Sequence, residues 1–162
     1  MAQSDLSQQH PQPYLCFSIG QTELGIPVSQ IWMIVQGTTI EEMAAGPGCL
    51  IGKMPFYKGD IPVVDPLALL PFLAATTLHE GSNILMMHQE KTDFFGFPVN
   101  RILDIRSIGS DQFLAEDQAS GLHLPLGVIG RVWLNKRTIH IIDARQLLSR
   151  ETMRQCHKAL NK

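Results

Sequence analysis

The sequence has little charge and no long apolar run, and each shortage excludes a class of protein. Charged residues make up 17% of the 162 residues and leave a net charge of −2, which disfavours a surface whose main task is to bind phosphate. No stretch approaches the ~18 apolar residues of a membrane-spanning helix. The first residues, MAQSDLSQQHPQP, lack the basic start and apolar core of a secretory signal. These shortages predict a globular cytoplasmic protein without membrane insertion.

Cysteine and histidine are present, but without the spacing that disulfides or metal sites need. The three cysteines, Cys16, Cys49 and Cys156, are odd in number and scattered, which favours reduced thiols over a disulfide framework. The six histidines show no ligand spacing with one another or with a cysteine. The sequence contains neither a glycine-rich phosphate loop nor a G-x-S-x-G turn. It therefore predicts no metal, no cofactor and no catalytic residue.

What the sequence does contain is an internal repeat. Residues 24–35, LGIPVSQIWMIV, align with residues 95–106, FGFPVNRILDIR, at an offset of 71 and share five identical residues. A second pair of segments, IPVVDPLALL at 61–70 and IHIIDARQLL at 139–148, aligns at an offset of 78. Because both units recur in the same order, the sequence predicts two small antiparallel β lobes packed around a pseudo-two-fold axis.

Asp65 and Asp143 are the carboxylates that the repeat matches, so they are the first candidates for catalysis. A symmetric pair of acids suggests an aspartic protease, in which two carboxyl groups share a proton. Such a site needs small residues and a hydroxyl after each acid, whereas Pro66 and Ala144 follow here. Capping of a helix N-terminus explains both acids with fewer assumptions.

Alternation and turn signals predict the order of elements. Strands are expected at 14–19, 23–28, 31–35, on both sides of a turn at 58–60, and at 83–89, 94–99, 101–106, 127–134 and 138–142. Residues 36–50 and 107–126 are expected to be irregular connections. Pro27 and Pro98 are expected at a sheet edge or a bulge, since proline cannot donate to a ladder.

The predicted organisation has three parts. Residues 1–12 are polar and are expected to form a disordered lead. Residues 13–148 are expected to form two interlocked β lobes, with the halves of the sequence dividing near 72–82. A short helix is expected after each lobe, and Ser149 is expected to cap a C-terminal helix over 149–162 that buries Met153, Cys156 and Leu160.

The two copies of the first repeat diverge at their ends. Residues 103–106 alternate apolar and charged, which predicts a strand with one wet face. In the first copy Met33 and Val35 replace the two charged residues, while Trp32 and Ile34 are expected to point inward. This strip either packs under a loop or against the other lobe, or stays exposed as a contact for another protein.

A second candidate contact is the hairpin tip Phe56–Tyr57–Lys58–Gly59. Two aromatic rings beside a cation are typical of an interface anchor. One ring is expected to face the core, and the other is expected to meet a partner together with Lys58.

The chain resembles the CheW-like adaptors of bacterial chemosensory arrays, from about Tyr14 to Leu148. The likeness rests on the order and spacing of four segments, YLCFSIGQTELGIPV, FYKGDIPVVDPL, GFPVN and IHIIDARQLL. It implies an all-β fold of two five-stranded SH3-like barrels related by pseudo-two-fold symmetry. It also implies a scaffold without catalysis.

The resemblance further implies two partners. One is the regulatory domain of a CheA-type histidine kinase, bound by pairing one barrel with another. The other is the helical hairpin tip of a chemoreceptor, bound in the cleft between the two barrels. The sequence departs from the family pattern at Lys58, where the family has an arginine implicated in receptor contact, at Met33, where it has glutamate, and at Asn100, where it has aspartate.

These departures place Asn100 among the candidate partner-binding residues. The alternative function is a small β-barrel nucleic-acid-binding protein, because such barrels use aromatic and basic faces. The acidic balance of the chain counts against it.

Overall fold

The described part of the chain folds into two β-sheets with short helices. This computed structural model describes residues 11–36, 40–56, 59–76, 83–89, 93–114, 124–125 and 127–161. Its strands are β1 Gln12–Ile19, β2 Thr22–Pro27, β3 Ile31–Val35, β4 Glu41–Glu42, β5 Leu50–Phe56, β6 Gly59–Val64, β7 Asn83–His88, β8 Phe94–Val99, β9 Arg101–Ile108, β10 Val128–Leu134 and β11 Arg137–Ile142. Its α-helices are α1 Pro66–Leu69, α2 Ala144–Leu147 and α3 Arg150–Leu160.

The strand order of the two sheets contains the predicted symmetry. The first sheet has the order β10-β11-β2-β1-β9, and the second has the order β3-β7-β8-β6-β5-β4. When the short β4 is set aside and the second order is reversed, β5-β6-β8-β7-β3 matches the first sheet position by position. β4 itself lies in the segment that was predicted to be irregular, and that prediction was wrong at Glu41 and Glu42.

The sheets do not coincide with the two halves of the sequence. The first sheet contains β1 and β2 together with β9, β10 and β11. The second sheet contains the four strands from β3 through β6 together with β7 and β8. Each half of the chain therefore supplies strands to both sheets. The strand that carries Met33 lies in the sheet of β7 and β8, and not with the first hairpin.

Among the described residues, each sheet contains one pair of parallel strands, and a glycine of the repeat takes part in each of these pairings, which we call the parallel steps. Gly25 of β2 pairs with Ile141 of β11, and Gly96 of β8 pairs with Val63 of β6. A Cβ on Gly25 would lie 2.9 Å from Ile141 Cδ1 of the parallel neighbour β11. One on Gly96 would lie 3.4 Å from Val63 Cγ2 of the parallel neighbour β6 and 3.0 Å from Ile84 Cγ2 of β7. Glycine at these two positions therefore allows the close approach of the strands.

Pro27 and Pro98 lie two residues beyond these glycines. Both belong to interior strands rather than to edges, but the parallel pairing has ended before either proline is reached. The missing N–H therefore leaves no gap in that ladder. Each proline therefore lies where its strand no longer pairs with its parallel neighbour.

β3 and β9 each contain a β-bulge, and the bulges are equivalent. Trp32 is the extra residue in β3, and Leu103, 71 positions later, is the extra residue in β9. A bulge interrupts the alternation of faces along a strand. The prediction that Trp32 and Ile34 point inward was therefore wrong, since they are 54% and 39% exposed. Ile105 in β9 is likewise 62% exposed.

Three large apolar cores and one small apolar cluster beneath α3 fill the described structure. The first-sheet core is formed by Tyr14, Cys16, Ile108, Val132, Ile139 and Ile141. The second-sheet core is formed by Met54, Ile61, Val63, Ile84 and Met86. The shared core lies between the sheets and takes residues from both, among them Phe17 of β1 and Phe97 of β8, whose rings meet edge to face at 6.3 Å. Because both sheets bury one face in the shared core, they stabilise each other.

The two matched aspartates cap helices, as the sequence predicts. The Asp65 side chain accepts a hydrogen bond from the Leu67 N–H at 2.9 Å, at the start of α1. The Asp143 side chain accepts one from the Arg145 N–H at 2.9 Å, at the start of α2. This role confirms the capping interpretation of the two acids.

The terminal helix α3 packs one face against the protein. Ser149 caps it through its side chain, as predicted. Met153 and Cys156 are buried, while Ala159 is buried in place of Leu160, which is only half-buried. At the C-terminal end of α3, the buried face therefore contains Ala159 instead of the predicted Leu160.

Candidate functional site

The outer part of β3 is an apolar surface, which we call the β3 strip. It consists of Trp32, Met33 and Ile34, which are 54%, 42% and 39% exposed. In the described structure β3 is an end strand of the second sheet and pairs with β7. Three consecutive exposed apolar side chains on an end strand are a feature that proteins usually cover or use for binding.

An aromatic cluster continues the β3 strip towards the β5–β6 hairpin. The Phe94 ring lies 5.6 Å from the Trp32 ring and 5.5 Å from the Phe56 ring. The His88 ring meets Phe94 edge to face at 6.1 Å. Phe94 thus connects β3 to the end of β5, so that the two candidate contacts predicted from sequence lie beside each other.

The residues predicted for the β3 contact differ in exposure. Met33 is exposed, whereas Val35 is partly buried against the second-sheet core. The sequence missed Trp32 and Ile34, because it assumed regular alternation through a strand that contains a bulge. The bulges in β3 and β9 can be recognised only from how these strands pair with their neighbours.

Of the four hairpin-tip residues, the structure describes Phe56 and Gly59. Phe56 is partly buried against the second-sheet core, which agrees with the expectation that one ring faces inward. Gly59 opens β6, is exposed, and a Cβ added there would meet no described atom within 4 Å. Tyr57 and Lys58 lie outside the described residues.

Asn100 lies between β8 and β9 in the sequence, and its side chain contacts the turn between β1 and β2. Its Oδ1 accepts a hydrogen bond from the Gly20 N–H at 2.6 Å, and its own N–H donates to the Ser18 carbonyl at 3.1 Å. Gly20 adopts a φ of 60°, a conformation that favours glycine. Asn100 therefore holds a turn of the first sheet in place.

The equivalent face of β9 is different in chemistry. Arg106 Nε donates to Asp104 Oδ2 at 3.0 Å, and both side chains are partly exposed. Leu103, the equivalent of Trp32, packs against the first-sheet core. Ile105 remains exposed between the two charged residues. An ion pair thus occupies the face on which β3 is apolar.

Other kinds of site have little support in the described ranges. No group of three or more histidine, cysteine, aspartate or glutamate side chains there is placed to hold a metal ion. Among the same residues, no helix combines the length and the apolar character needed to cross a membrane. The two matched aspartates are engaged as helix caps.

Comparisons with known proteins agree with this architecture. Residues 13–152 match the family model of the CheW-like domain. The fold is similar to the crystal structure of the scaffolding protein TtCheW from Thermoanaerobacter tengcongensis, with a TM-score of 0.69, 16% identity, and coverage of 82% of this chain and 88% of that chain. A search of curated proteins by sequence found no match.

The structural likeness confirms the predicted fold class of two SH3-like barrels. The family match covers most of the chain, and it confirms the resemblance found in the sequence. This protein belongs to the CheW-like family, the coupling scaffolds of bacterial chemotaxis.

Proposed function

We propose that this CheW-like adaptor binds the regulatory domain of a CheA-type histidine kinase through the β3 strip and the adjoining β5–β6 hairpin. The observation that carries the proposal is the exposure of three consecutive apolar residues, Trp32, Met33 and Ile34, on an end strand. Family adaptors pair with a kinase domain of their own fold, barrel against barrel. An apolar end strand beside an aromatic cluster suits such pairing.

The chemistry of the β3 strip is that of an interface centre. Tryptophan supplies large rigid contact area, and methionine adapts its shape to a partner surface. The Phe94 ring packs against the Trp32 ring at 5.6 Å, and it is itself in contact with the Phe56 ring at 5.5 Å. A preorganised aromatic residue loses little conformational entropy on binding, which favours affinity.

The same adaptor is proposed to bind the helical hairpin tip of a chemoreceptor in the cytoplasm. The family binds that tip in the cleft between its two barrels, and Lys58 stands where the family has an arginine. Lysine keeps the positive charge and loses the planar fork of five donors. We therefore expect contacts at Lys58 to be single hydrogen bonds rather than paired ones.

The proposed role is non-enzymatic, and nucleic-acid binding is not favoured. The matched aspartates that a hydrolase would need serve as helix caps. The chain has a net charge of −2, and the β3 strip is uncharged, so its aromatic surface lacks the cations that accompany base stacking.

The test is binding of the purified kinase regulatory domain to Met33→Arg and Lys58→Glu variants. Each variant should weaken binding by roughly tenfold or more, because a charge is introduced or reversed at the contact. The matched control is Asp104→Arg, the equivalent position in β9, which should bind like the unaltered protein. Circular dichroism should be unchanged in all three. Unaltered affinity of both Met33→Arg and Lys58→Glu would exclude this surface.

A further inference from the structure

The β3 strip contains a methionine that is exposed to solvent. Met33 is 42% exposed, and its neighbours Trp32 and Ile34 are 54% and 39% exposed. A thioether in such a position is open to small oxidants, because a dissolved molecule reaches the side chain without any opening of the fold. The product, methionine sulfoxide, is a polar and chiral side chain. Met33 is therefore a candidate site of oxidative modification.

The other methionines that the structure describes are better shielded. Met43 is partly buried. Four more are at most 2% exposed, and these are Met54, Met86, Met87 and Met153. Since the oxidant has to touch the sulfur, a buried methionine reacts only when the protein opens. Among the described methionines, the structure therefore directs the reaction to Met33.

Oxidation of Met33 leaves the packing of the protein intact. Met33 pairs with Met86 of β7 through its backbone, and this ladder does not involve the sulfur. In the described part of the chain, Met33 belongs to none of the apolar clusters. Met54 and Met86, by contrast, lie in the second-sheet core, where an added oxygen would disrupt the packing. Met33 is therefore a methionine whose oxidation changes the surface without unfolding the chain.

We propose that Met33 is a modification site at which hydrogen peroxide makes the β3 strip polar and so weakens binding of the kinase regulatory domain. This inference rests on the proposed function, which assigns that partner to the strip. The lone pair of Met33 Sδ attacks one peroxide oxygen, the O–O bond breaks and an S–O bond forms. The departing hydroxide takes the proton from the transferred oxygen and leaves as water. Sulfur gives up one electron pair, and the peroxide accepts it.

The sulfoxide opposes binding because its oxygen is hydrated in the free protein. When a partner covers the β3 strip, that oxygen loses its water, and an apolar partner surface offers no donor in exchange. Burial of a polar group without a hydrogen bond weakens binding by roughly fivefold or more. The bound partner also covers Met33, so the complex should be oxidised more slowly than the free adaptor.

Peptide mapping of the full-length protein tests where the oxygen goes. The protein is treated with peroxide and then with dithiothreitol, which restores reversibly oxidised cysteines but leaves methionine sulfoxide in place. Cleavage after glutamate releases residues 24–41, in which Met33 is the only methionine. Tandem mass spectrometry should place one oxygen on Met33, sooner than on Met43 or on the four buried methionines. Oxygen on Trp32 instead, or reaction of Met33 no faster than that of a buried methionine, would overturn the proposal.

Titration of the purified kinase regulatory domain measures the consequence for binding. The treated adaptor should bind roughly fivefold more weakly or worse, while its circular dichroism spectrum stays unchanged. A methionine sulfoxide reductase should restore the affinity, since it converts the sulfoxide back to methionine. Met33→Gln, which carries an uncharged polar group at the same place, should weaken binding without any oxidant. Unchanged affinity of the treated protein would contradict the proposal.

Two leucine variants identify the methionine that is responsible. The affinity of Met33→Leu should be the same before and after peroxide, whatever its starting value, because leucine takes up no oxygen. Met43→Leu is the matched control and should lose affinity on treatment as the unaltered protein does. Loss of affinity by treated Met33→Leu would assign the effect to another residue and overturn the proposal. If Met33→Arg and oxidation of Met33 both leave the affinity unchanged, the proposed function fails as well; if Met33→Arg alone weakens binding, only this inference is overturned.

Discussion

β3 and β9 hold equivalent places in the two sheets, yet they present different surfaces. Each is an end strand in the described structure, and each has a β-bulge at the same position of the repeat. β3 exposes the apolar β3 strip, whereas β9 exposes the ion pair of Asp104 and Arg106. The backbone arrangement is therefore shared, and the surface chemistry is not.

The difference separates the residues that the fold requires from those that can be substituted to change what the protein binds. Gly25 and Gly96 allow the parallel steps, and Ile31 and Ile102 both pack against the shared core. These positions are identical in both copies of the repeat. Met33 and Asp104 diverge and are both exposed, so a substitution there changes what the strand can bind without changing how it pairs.

The largest expected effect comes from breaking the shared core that links the two sheets. Phe97→Ala should lower the free energy of unfolding by about 3–5 kcal/mol, because Phe97 is fully buried and its ring meets Phe17. The chain has two tryptophans, with Trp32 in the second sheet and Trp133 in the first. Variants that keep one tryptophan each therefore report urea unfolding of one sheet at a time.

Both reporters should give the same midpoint, in the unaltered protein and in the Phe97→Ala background. Coincident transitions are expected because each half of the chain supplies strands to both sheets. Separate midpoints would mean that the sheets unfold independently, and the comparison of β3 with β9 would then concern two separate domains.

A smaller difference is expected between the two matched caps. Asp143→Ala should cost about 2 kcal/mol and Asp65→Ala about 1 kcal/mol. Asp143 is buried, and its Oδ1 also accepts a hydrogen bond from Gln30 Nε2 at 3.2 Å, while Gln30 Oε1 accepts from the Ala144 N–H at 2.7 Å. Urea denaturation measures both values. Equal losses would show that the added contacts of Asp143 contribute nothing.

Much of the fold was predictable because its signals are local. Turn residues and alternation predicted β7 and β8 close to their observed bounds, and the Asp-capped helices follow from residue preferences at helix starts. β4 was missed because two residues are too few for a pattern. The exchange of strands between the halves depends on pairings between distant segments, which local patterns do not encode.

The candidate site was predictable only in part. Comparison of the two repeats identified Met33, because an apolar residue there replaces a charged one. Trp32 and Ile34 were missed because a bulge redirects side chains and leaves no local mark in the sequence. The roles of all seven predicted residues in partner binding remain predictions, namely Met33, Val35, Phe56, Tyr57, Lys58, Gly59 and Asn100.

The most direct test of the account compares Ile34→Arg with Ile105→Arg by calorimetric titration of the kinase regulatory domain. The two isoleucines are equivalent in the repeat and are 39% and 62% exposed, so neither substitution should unfold the protein. We expect Ile34→Arg to weaken binding by roughly tenfold or more, and Ile105→Arg to change it by less than about twofold. Equal effects, or a larger loss for Ile105→Arg, would contradict the claim that β3 is the binding strand.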